Sequence, residues 1–357
     1  MMFLKKQKWA SIFIINVFIL WLLLEVLLRI VWKSPYTEPF PNTALYYPNL
    51  STIFRNVDQV FDGGLKEVKF KTSHLSFILN EKNELPHGNY ALSLGGSTTE
   101  CALLPEGKRW PDLINTPTLN YGKSRLDSID SYFNLKYILD HFKLHPQFIF
   151  VLDGVNNLSH LLSDRFIFEE TSYQHQYGVW WQNAILRHFY VFTFVKKFFQ
   201  NQNYVEFYKS QVENNLKHPP MFMDDLQKTW MEKRDLFHKK LLEINSKIKN
   251  LALSHHSQVI LLTQPHSFFE DYVPSNKLDL RVTPIVDGKR LGILEAGWLM
   301  NEFNKLTIQV AKELNIIFLD TAECMAKQNS SNLFYDAVHL TETGAKVFAQ
   351  CINEELR

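Results

Sequence analysis

The chain has 357 residues, of which 46% are hydrophobic and 14% aromatic, enough for one large domain or two small ones. Its 38 basic and 37 acidic side chains leave a net charge of +1, without the clustered basic excess that nucleic-acid binding requires. The cysteines Cys101, Cys324 and Cys351 are far apart and include no C-x-x-C pair. Their number and spacing argue against a disulfide framework or a zinc site and leave a single bridge open. Cys101 is interpreted as a small buried hydrophobe.

A long apolar stretch near the N-terminus predicts a transmembrane helix. Residues 1–8 form a short basic segment, and residues 9–32 are rich in Ile, Leu, Val and Phe. This run exceeds the roughly 20 residues that cross a bilayer core. Glu25 and Arg29 lie four residues apart and can pair on one helix face. The alternative is a cleaved secretory signal, but the stretch is long and residues 28–32 offer no small-x-small cleavage site.

The charges that flank this stretch predict its orientation. Lys5, Lys6 and Lys8 precede it, whereas Lys33 follows it. Because positive flanks favour the cytoplasmic side, we expect a single-pass membrane protein with a cytoplasmic N-terminus. The rest of the chain would then lie outside the cytoplasm, in the periplasm or at the cell surface.

The pattern after this helix changes near residue 89. Residues 33–88 are interpreted as a linker and an irregular lead-in, with strand-like side chains at Val68, Phe70, Phe77 and Ile78. From residue 89 to the C-terminus, short apolar strands alternate with amphipathic helices, which predicts a parallel sheet with helices on both faces. The predicted strands are 90–94, 118–121, 147–153, 258–263 and 316–320, and the predicted helices are 126–142, 224–254, 293–314 and 342–355.

An insertion at about residues 158–223 separates the third and fourth predicted strands. It contains an aromatic-rich helical stretch from Gly178 to Phe199. Aromatic stripes at helical spacing usually pack on a core, so we interpret this stretch as a cap helix. The alternatives are a lid over an apolar substrate group and a patch that contacts the membrane surface.

The stretch from Leu94 to Glu100 follows the first predicted strand and contains two glycines before Ser97. It predicts a strand that ends in a tight turn and opens a helix. Backbone N–H groups at a helix N-terminus favour developing negative charge, and the glycines leave room for such a turn. Ser97 is therefore a candidate nucleophile.

Polar turns follow the next two strands. Gly122 lies after the second strand, where a glycine lets the backbone approach a ligand and present an N–H group. Asn156 lies after the third strand, where its amide could serve as an oxyanion donor. Taken alone, each is better explained as an ordinary turn residue.

Asp336 and His339 lie three residues apart, just before the last predicted helix, for which Thr341 is the expected N-cap. In a turn, this spacing can bring the carboxylate to one imidazole nitrogen and leave the other to accept a proton from a serine. An isolated Asp-x-x-His pair is more often solvated surface, so its value lies in its combination with Ser97.

The joint occurrence and order of these four motifs, from Gly95-Gly96-Ser97 to Asp336-Ala337-Val338-His339, resemble the SGNH, or GDSL-type, hydrolase family. The Gly-Gly-Ser-Thr-Thr version is similar to that of its membrane-anchored bacterial members. Gly96 and Asn157 depart from the usual pattern, because many members have aspartate at these two positions. The resemblance covers residues 89–357, apart from the insertion.

The resemblance implies a fold and a set of roles. The fold is an α/β three-layer, flavodoxin-like sandwich with a five-stranded parallel sheet. Ser97 would be the nucleophile, His339 the base and Asp336 its orienting acid. The oxyanion hole would consist of the Ser97 and Gly122 N–H groups and the Asn156 side chain. Such a triad requires no cofactor or metal, and His255, His256 and His266 are interpreted as satisfied or solvated.

The most direct functional interpretation is a membrane-anchored, extracytoplasmic serine esterase. Its substrate would be an acyl ester, such as an acetylated envelope polysaccharide or a lipid. One alternative is an O-acyltransferase of envelope glycans, which would use the same triad. Another is a catalytically silent protein that retains the fold for envelope assembly or binding.

Overall fold

The computed structural model describes residues 2–31, 43–55, 67–80, 85–86, 88–163, 166, 168, 191, 213–268, 285–328 and 332–356. The chain divides into two units. The first comprises Met1–Asn42 and Glu170–Gln202, and the second comprises Thr43–Glu169 and Asn203–Arg357. The predicted aromatic helix lies outside the described residues, except for Val191.

The first unit contains a long apolar helix, α1 (Met2–Val31). Its segment Ile12–Val31 is long and apolar enough to cross a membrane, although a signal sequence meets the same criterion. Most of its large apolar side chains are exposed, as expected for a helix that faces lipid. Glu25, by contrast, is a buried acidic residue in this helix. Its carboxylate accepts hydrogen bonds from Arg29 Nε and from the Val191 N–H, each at 2.9 Å. The predicted Glu25–Arg29 pair is therefore present, and Val191 contacts the same carboxylate.

The second unit alternates strands and helices. Its strands are β1 Ser51–Arg55, β2 Glu67–Lys71, β3 Ala91–Gly95, β4 Thr118–Asn120, β5 Phe148–Leu152, β6 Gln258–Leu262, β7 Ile285–Val286, β8 Lys289–Arg290 and β9 Ile317–Leu319. Its helices, numbered after α1, are α2 Ser97–Glu100, α3 Trp110–Leu113, α4 Ser128–Asp140, α5 Val155–Leu162, α6 Met223–Ser254, α7 Ile293–Glu313, α8 Thr321–Ala326 and α9 Glu342–Glu355.

The five predicted strands form one sheet in the order β4-β3-β5-β6-β9, and all neighbouring strands are parallel. Counted along the chain this order is 2-1-3-4-5, the flavodoxin-like arrangement. Side chains of β3 and β5 are almost entirely buried, because helices cover both faces of a parallel sheet. The predicted α/β fold class is confirmed. Ligands bind at the carboxyl edge of open α/β sheets, and every polar motif named above lies at this edge of the sheet.

Capping side chains mark the N-termini of α4 and α9. Asp127 accepts hydrogen bonds from the Ile129 and Asp130 N–H groups at the start of α4. Thr341 accepts one from the Gly344 N–H at the start of α9, so the N-cap predicted at Thr341 is confirmed.

From Thr43 onward, the lead-in belongs to the same unit as the sheet. β1 and β2 pair as an antiparallel hairpin that buries Val68 and Phe70. After it, the Ile78 N–H donates to the Asn120 carbonyl oxygen, at 2.8 Å, beside the edge strand β4. The described residues between 43 and 80 therefore cover this edge of the sheet, and β2 contains Val68 and Phe70, which the sequence indicated as strand-like.

A disulfide joins Cys324 in α8 to Cys351 in α9. The sequence left such a bridge open without predicting it. Cys101 is the free cysteine of the described residues, and it is buried, as expected. Burial raises the pKa of its thiol to about 12, so it is an inert core group.

Candidate active site

The turn between β3 and α2 depends on glycine at position 95. Gly95 has φ +145°, and a Cβ there would lie 2.3 Å from the Leu152 carbonyl oxygen of the neighbouring strand β5. A side chain is therefore excluded by conformation and by space. The chain turns at Gly96 and places Ser97 as the first residue of α2, at the carboxyl edge of the sheet.

Ser97, His339 and Asp336 come together across more than 200 residues of sequence. The Ser97 Oγ lies 2.7 Å from His339 Nε2, and His339 Nδ1 lies 2.7 Å from Asp336 Oδ2. The other carboxylate oxygen of Asp336 accepts the Val338 N–H at 3.0 Å and the His339 N–H at 2.8 Å. The carboxylate is thus fixed by the turn that carries the histidine. A continuous hydrogen-bonded chain runs from hydroxyl to imidazole to carboxylate.

The environment of Asp336 keeps it ionised. Burial alone would raise the pKa of this carboxyl, but the charge of His339, its imidazole N–H and two backbone N–H groups outweigh burial and lower the pKa below its usual value. An ionised Asp336 accepts from Nδ1 and leaves Nε2 to accept the Ser97 hydroxyl proton. The Tyr335 ring stacks on the imidazole at 5.5 Å between centroids and helps to fix its plane.

Asn156 lies beside Gly96, the residue before Ser97. Its Nδ2 donates to the Leu126 carbonyl oxygen at 2.8 Å, and a Cβ on Gly96 would lie only 2.3 Å from the same Nδ2. An amide nitrogen carries two protons, so one remains for an oxyanion at Ser97. The absence of a side chain at position 96, where the sequence departs from the family pattern, gives the Asn156 amide its space.

The Gly122 N–H, predicted as an oxyanion donor, donates to another group. It donates to Asn120 Oδ1 at 2.9 Å, and Asn120 Nδ2 in turn donates to the Thr99 carbonyl oxygen at 2.9 Å. A Cβ on Gly122 would lie 2.4 Å from the Glu100 nitrogen. The glycine does permit a close backbone approach, but the backbone that it approaches is α2. The prediction that the Gly122 N–H is an oxyanion donor therefore conflicts with this hydrogen bond.

Two contributors to the site carried no sequence signal. The Leu126 carbonyl, which orients Asn156, is a backbone group and could not be read from residue type. Asn120, whose Oδ1 accepts a hydrogen bond from the Gly122 N–H, looked like an ordinary strand residue in the sequence. Only its position at the end of β4, next to a glycine, could have drawn attention to it.

No cluster of three or more metal-ligating side chains occurs among the described residues. His266, which the sequence analysis interprets as satisfied or solvated, is buried. Its Nε2 lies 3.0 Å from Asn301 Oδ1, and its Nδ1 accepts the Phe268 N–H at 3.2 Å. Burial lowers the pKa of His266, so this side chain is a neutral, satisfied histidine. His255 lies 3.2 Å from the Asp140 carboxylate.

No family model and no curated protein matches the sequence. Several solved structures are similar. One is a member of the lipolytic G-D-S-L family from Veillonella parvula, at 15% identity and a TM-score of 0.40, which covers 75% of this chain and 97% of its own. Another is an acetylxylan esterase from Geobacillus stearothermophilus, at 14% identity and a TM-score of 0.38, covering 75% and 94%. A lipolytic G-D-S-L family protein from Desulfitobacterium hafniense matches at 13% identity and a TM-score of 0.37, covering 75% and 99%. This likeness is too distant to assign chemistry, which rests on the residues themselves.

Proposed function

We propose that this chain is a serine ester hydrolase of the SGNH type. The observation that carries the proposal is the continuous hydrogen-bonded chain from the Ser97 hydroxyl through His339 to Asp336. Such a chain lets an alcohol attack a carbonyl at neutral pH, because the imidazole accepts the proton and the carboxylate stabilises the imidazolium. In this proposal Ser97 is the nucleophile, His339 the base and Asp336 the orienting acid.

The chemistry has two halves. The Ser97 Oγ attacks the ester carbonyl as His339 Nε2 takes its proton, and the resulting oxyanion is stabilised by the Ser97 N–H and the Asn156 amide. The same imidazole then gives its proton to the departing alcohol, which leaves an acyl-enzyme. Water, deprotonated by His339, attacks the acyl-enzyme, and the acid product and free Ser97 result.

The proposal includes a location and a substrate class. A single-span anchor with a cytoplasmic N-terminus would place the triad outside the cytoplasm. The Cys324–Cys351 disulfide supports this placement, since disulfides persist in oxidising compartments. Acyl esters of envelope polysaccharide, or of lipid, are the substrates within reach of an anchored enzyme on that side.

The test is hydrolysis of aryl esters of increasing acyl length by the full chain in detergent. We expect measurable turnover that falls to the background rate in Ser97→Ala and His339→Ala. Ser254→Ala, which removes an exposed hydroxyl at the end of α6, should be unaffected. Undiminished turnover by folded Ser97→Ala would overturn the mechanism. Adding a sugar acceptor tells hydrolysis from transfer, because a transferase would release acylated sugar in place of free acid.

A further inference from the structure

One buried carboxylate close to the nucleophile has no part in the proposed chemistry. Glu100 lies one helical turn after Ser97, at the end of α2, and only 1% of it is exposed. A carboxylate is rarely buried unless it is paired, because ionised groups lose hydration in the interior. Its partners therefore indicate what it holds in place.

Glu100 joins three segments of the chain. One carboxylate oxygen, Oε2, accepts the Ser124 N–H at 2.7 Å and also the Ser124 hydroxyl. The other, Oε1, accepts the hydroxyl of Tyr46, from the lead-in. The nucleophile helix, the turn after β4 and the lead-in thus meet at one carboxylate. Each hydrogen bond to a carboxylate is stronger than a neutral one.

Ser124 belongs to a tight turn, Lys123–Leu126, that borders the site. The Leu126 N–H donates to the Lys123 carbonyl oxygen at 3.3 Å, and Arg125 between them has φ +73°. Residues with a Cβ disfavour this left-handed conformation, so the turn needs support from outside. The Glu100–Ser124 hydrogen bonds provide that support.

The same turn orients the proposed oxyanion donor. The Leu126 carbonyl accepts Asn156 Nδ2 at 2.8 Å, and it would lie 3.3 Å from a Cβ on Gly96, next to the nucleophile. A shift of the turn would therefore move the Asn156 amide relative to Ser97. Small displacements of donors lower rates strongly, because catalytic geometry tolerates little error.

A partly buried cation reinforces this arrangement. Lys123 Nζ donates to the Leu45 carbonyl oxygen at 3.1 Å and lies 5.0 Å from the centre of the Tyr46 ring. Burial lowers the pKa of Lys123 to about 8, against the opposing effect of the Glu100 charge. The Lys123 N–H also donates to the Gly95 carbonyl oxygen at 3.0 Å. The first residue of the turn is thereby held to the nucleophile loop and to the lead-in.

We propose that Glu100 is a positioning residue that holds the turn Lys123–Leu126 and, through the Leu126 carbonyl, sets the Asn156 amide for the oxyanion. The inference rests on the proposed function. It also gives the lead-in a role, since Tyr46 completes the set of donors around Glu100.

The test compares kcat and KM for aryl-ester hydrolysis in Glu100→Ala, Glu100→Gln and Ser124→Ala. We expect Glu100→Ala to lower kcat by about 10-fold to 100-fold with KM changed less than about threefold. Glu100→Gln should recover most of the rate, because its amide oxygen can accept from Ser124 and its N–H₂ can face the Tyr46 oxygen. Ser124→Ala, which keeps the Ser124 N–H, should lose less than Glu100→Ala.

A double-mutant cycle separates positioning from general stability. In the Asn156→Ala background, Glu100→Ala should lower kcat by no more than about twofold, since the donor that it positions is absent. Ser257→Ala is the matched control for Ser124→Ala. It removes a buried hydroxyl that donates to the Pro146 carbonyl at 2.6 Å, at the opposite edge of the sheet, and should leave kcat unchanged.

Two results would overturn the inference. One is a Glu100→Ala variant with lower thermal stability but the kcat of the Ser257→Ala control. The other is a loss of kcat on Glu100→Ala that is equally large in the wild-type and Asn156→Ala backgrounds. If Glu100→Ala does not fold, the same cycle with Ser124→Ala decides. Failure of the proposed function is distinct, because Ser97→Ala would then retain turnover.

Discussion

At the residue scale, the space above Gly96 determines whether Asn156 can serve the nucleophile. A methyl group at position 96 would clash mainly with the Asn156 amide, at 2.3 Å, and would lie 3.3 Å from the Leu126 carbonyl oxygen, so we expect the side chain to move and the fold to be retained. We expect Gly96→Ala to lower kcat by about 100-fold, comparable to the loss of one oxyanion donor. Steady-state kinetics and a thermal melt measure the two effects separately.

The matching control is Asn156→Ala. This variant should itself lose on the order of 3 kcal/mol of transition-state stabilisation while remaining folded. Adding Gly96→Ala to Asn156→Ala should then cost nothing further, because there is no amide to displace. A full additional loss in the double variant would mean that position 96 acts on catalysis by another route.

The sequence pointed to the three side chains that the structure brings together, Ser97, His339 and Asp336, but not to the hydrogen bond of the Gly122 N–H. Asp336 and His339 are close in sequence, and a turn brings them together almost inevitably, so local spacing was informative. Whether the Gly122 N–H can face a ligand depends on Asn120, because Asn120 Oδ1 accepts a hydrogen bond from it. Such competition between neighbours is set by rotamer and packing, which residue type alone does not specify.

At the element scale, the disulfide between α8 and α9 encloses the segment that carries Asp336 and His339. Cys324 and Cys351 are separated by 27 residues, and closing such a loop stabilises a fold by about 3.5 kcal/mol in the chain-entropy description. The double variant Cys324→Ser, Cys351→Ser should lose about that much free energy of unfolding in urea.

Reductant provides the control for the bridge. Dithiothreitol should destabilise the wild-type protein and leave the double variant unchanged. Alkylation of the denatured, unreduced protein should modify Cys101 alone. Modification of all three cysteines would show that the bridge does not form.

The carboxyl end of β5 carries a buried acid, Asp153, outside the proposed chemistry. Burial raises its pKa to about 7, and the nearby charges of Asp127 and Asp130 act in the same direction. In the unfolded chain the group ionises near pH 4, so between pH 4 and 7 the folded state binds more protons. The free energy of unfolding should therefore fall as pH rises through this window.

Asp153→Asn tests this expectation. The variant should keep an acceptor for the Ser131 hydroxyl, which lies 3.2 Å from Oδ1, while losing the ionisable group. Urea unfolding at pH 5 and pH 8 should show a smaller decline for the variant than for the wild type. Equal declines in the two proteins would assign the pH dependence to other groups.

Elements with a strong local signal were predicted closely. The last helix was expected at residues 342–355, which are the bounds of α9, because Thr341 caps it. Strand β1 was not predicted, because it is only five residues long and pairs with β2, which lies well away from it in sequence. The disulfide likewise required knowing that α8 and α9 pack together.

At the scale of the whole molecule, the proposed topology has a direct consequence. A C-terminal fusion to a reporter active only outside the cytoplasm should be active, because the lysines in the first turns of α1 favour a cytoplasmic N-terminus. A reporter that works only in the cytoplasm, fused at the same position, should be silent. The opposite pair of results would refute the extracytoplasmic placement.

The overall sheet was predictable because strand–helix alternation leaves few arrangements for five parallel strands. The division of the chain into two units was harder to predict from the sequence. The lead-in forms one unit with the sheet through contacts such as Ile78 with Asn120 and Tyr46 with Glu100. These contacts join residues far apart in sequence, and the composition of the lead-in does not indicate them.

Covalent capture of the nucleophile tests the central proposal most directly. The full chain is incubated with a fluorophosphonate, and the modified peptide is located by mass spectrometry. We expect one adduct, on Ser97, that is absent from Ser97→Ala and strongly reduced in His339→Ala, which lacks the base. A wild-type protein that takes up no label, or that carries it on another serine, would contradict the assignment of Ser97 as the nucleophile.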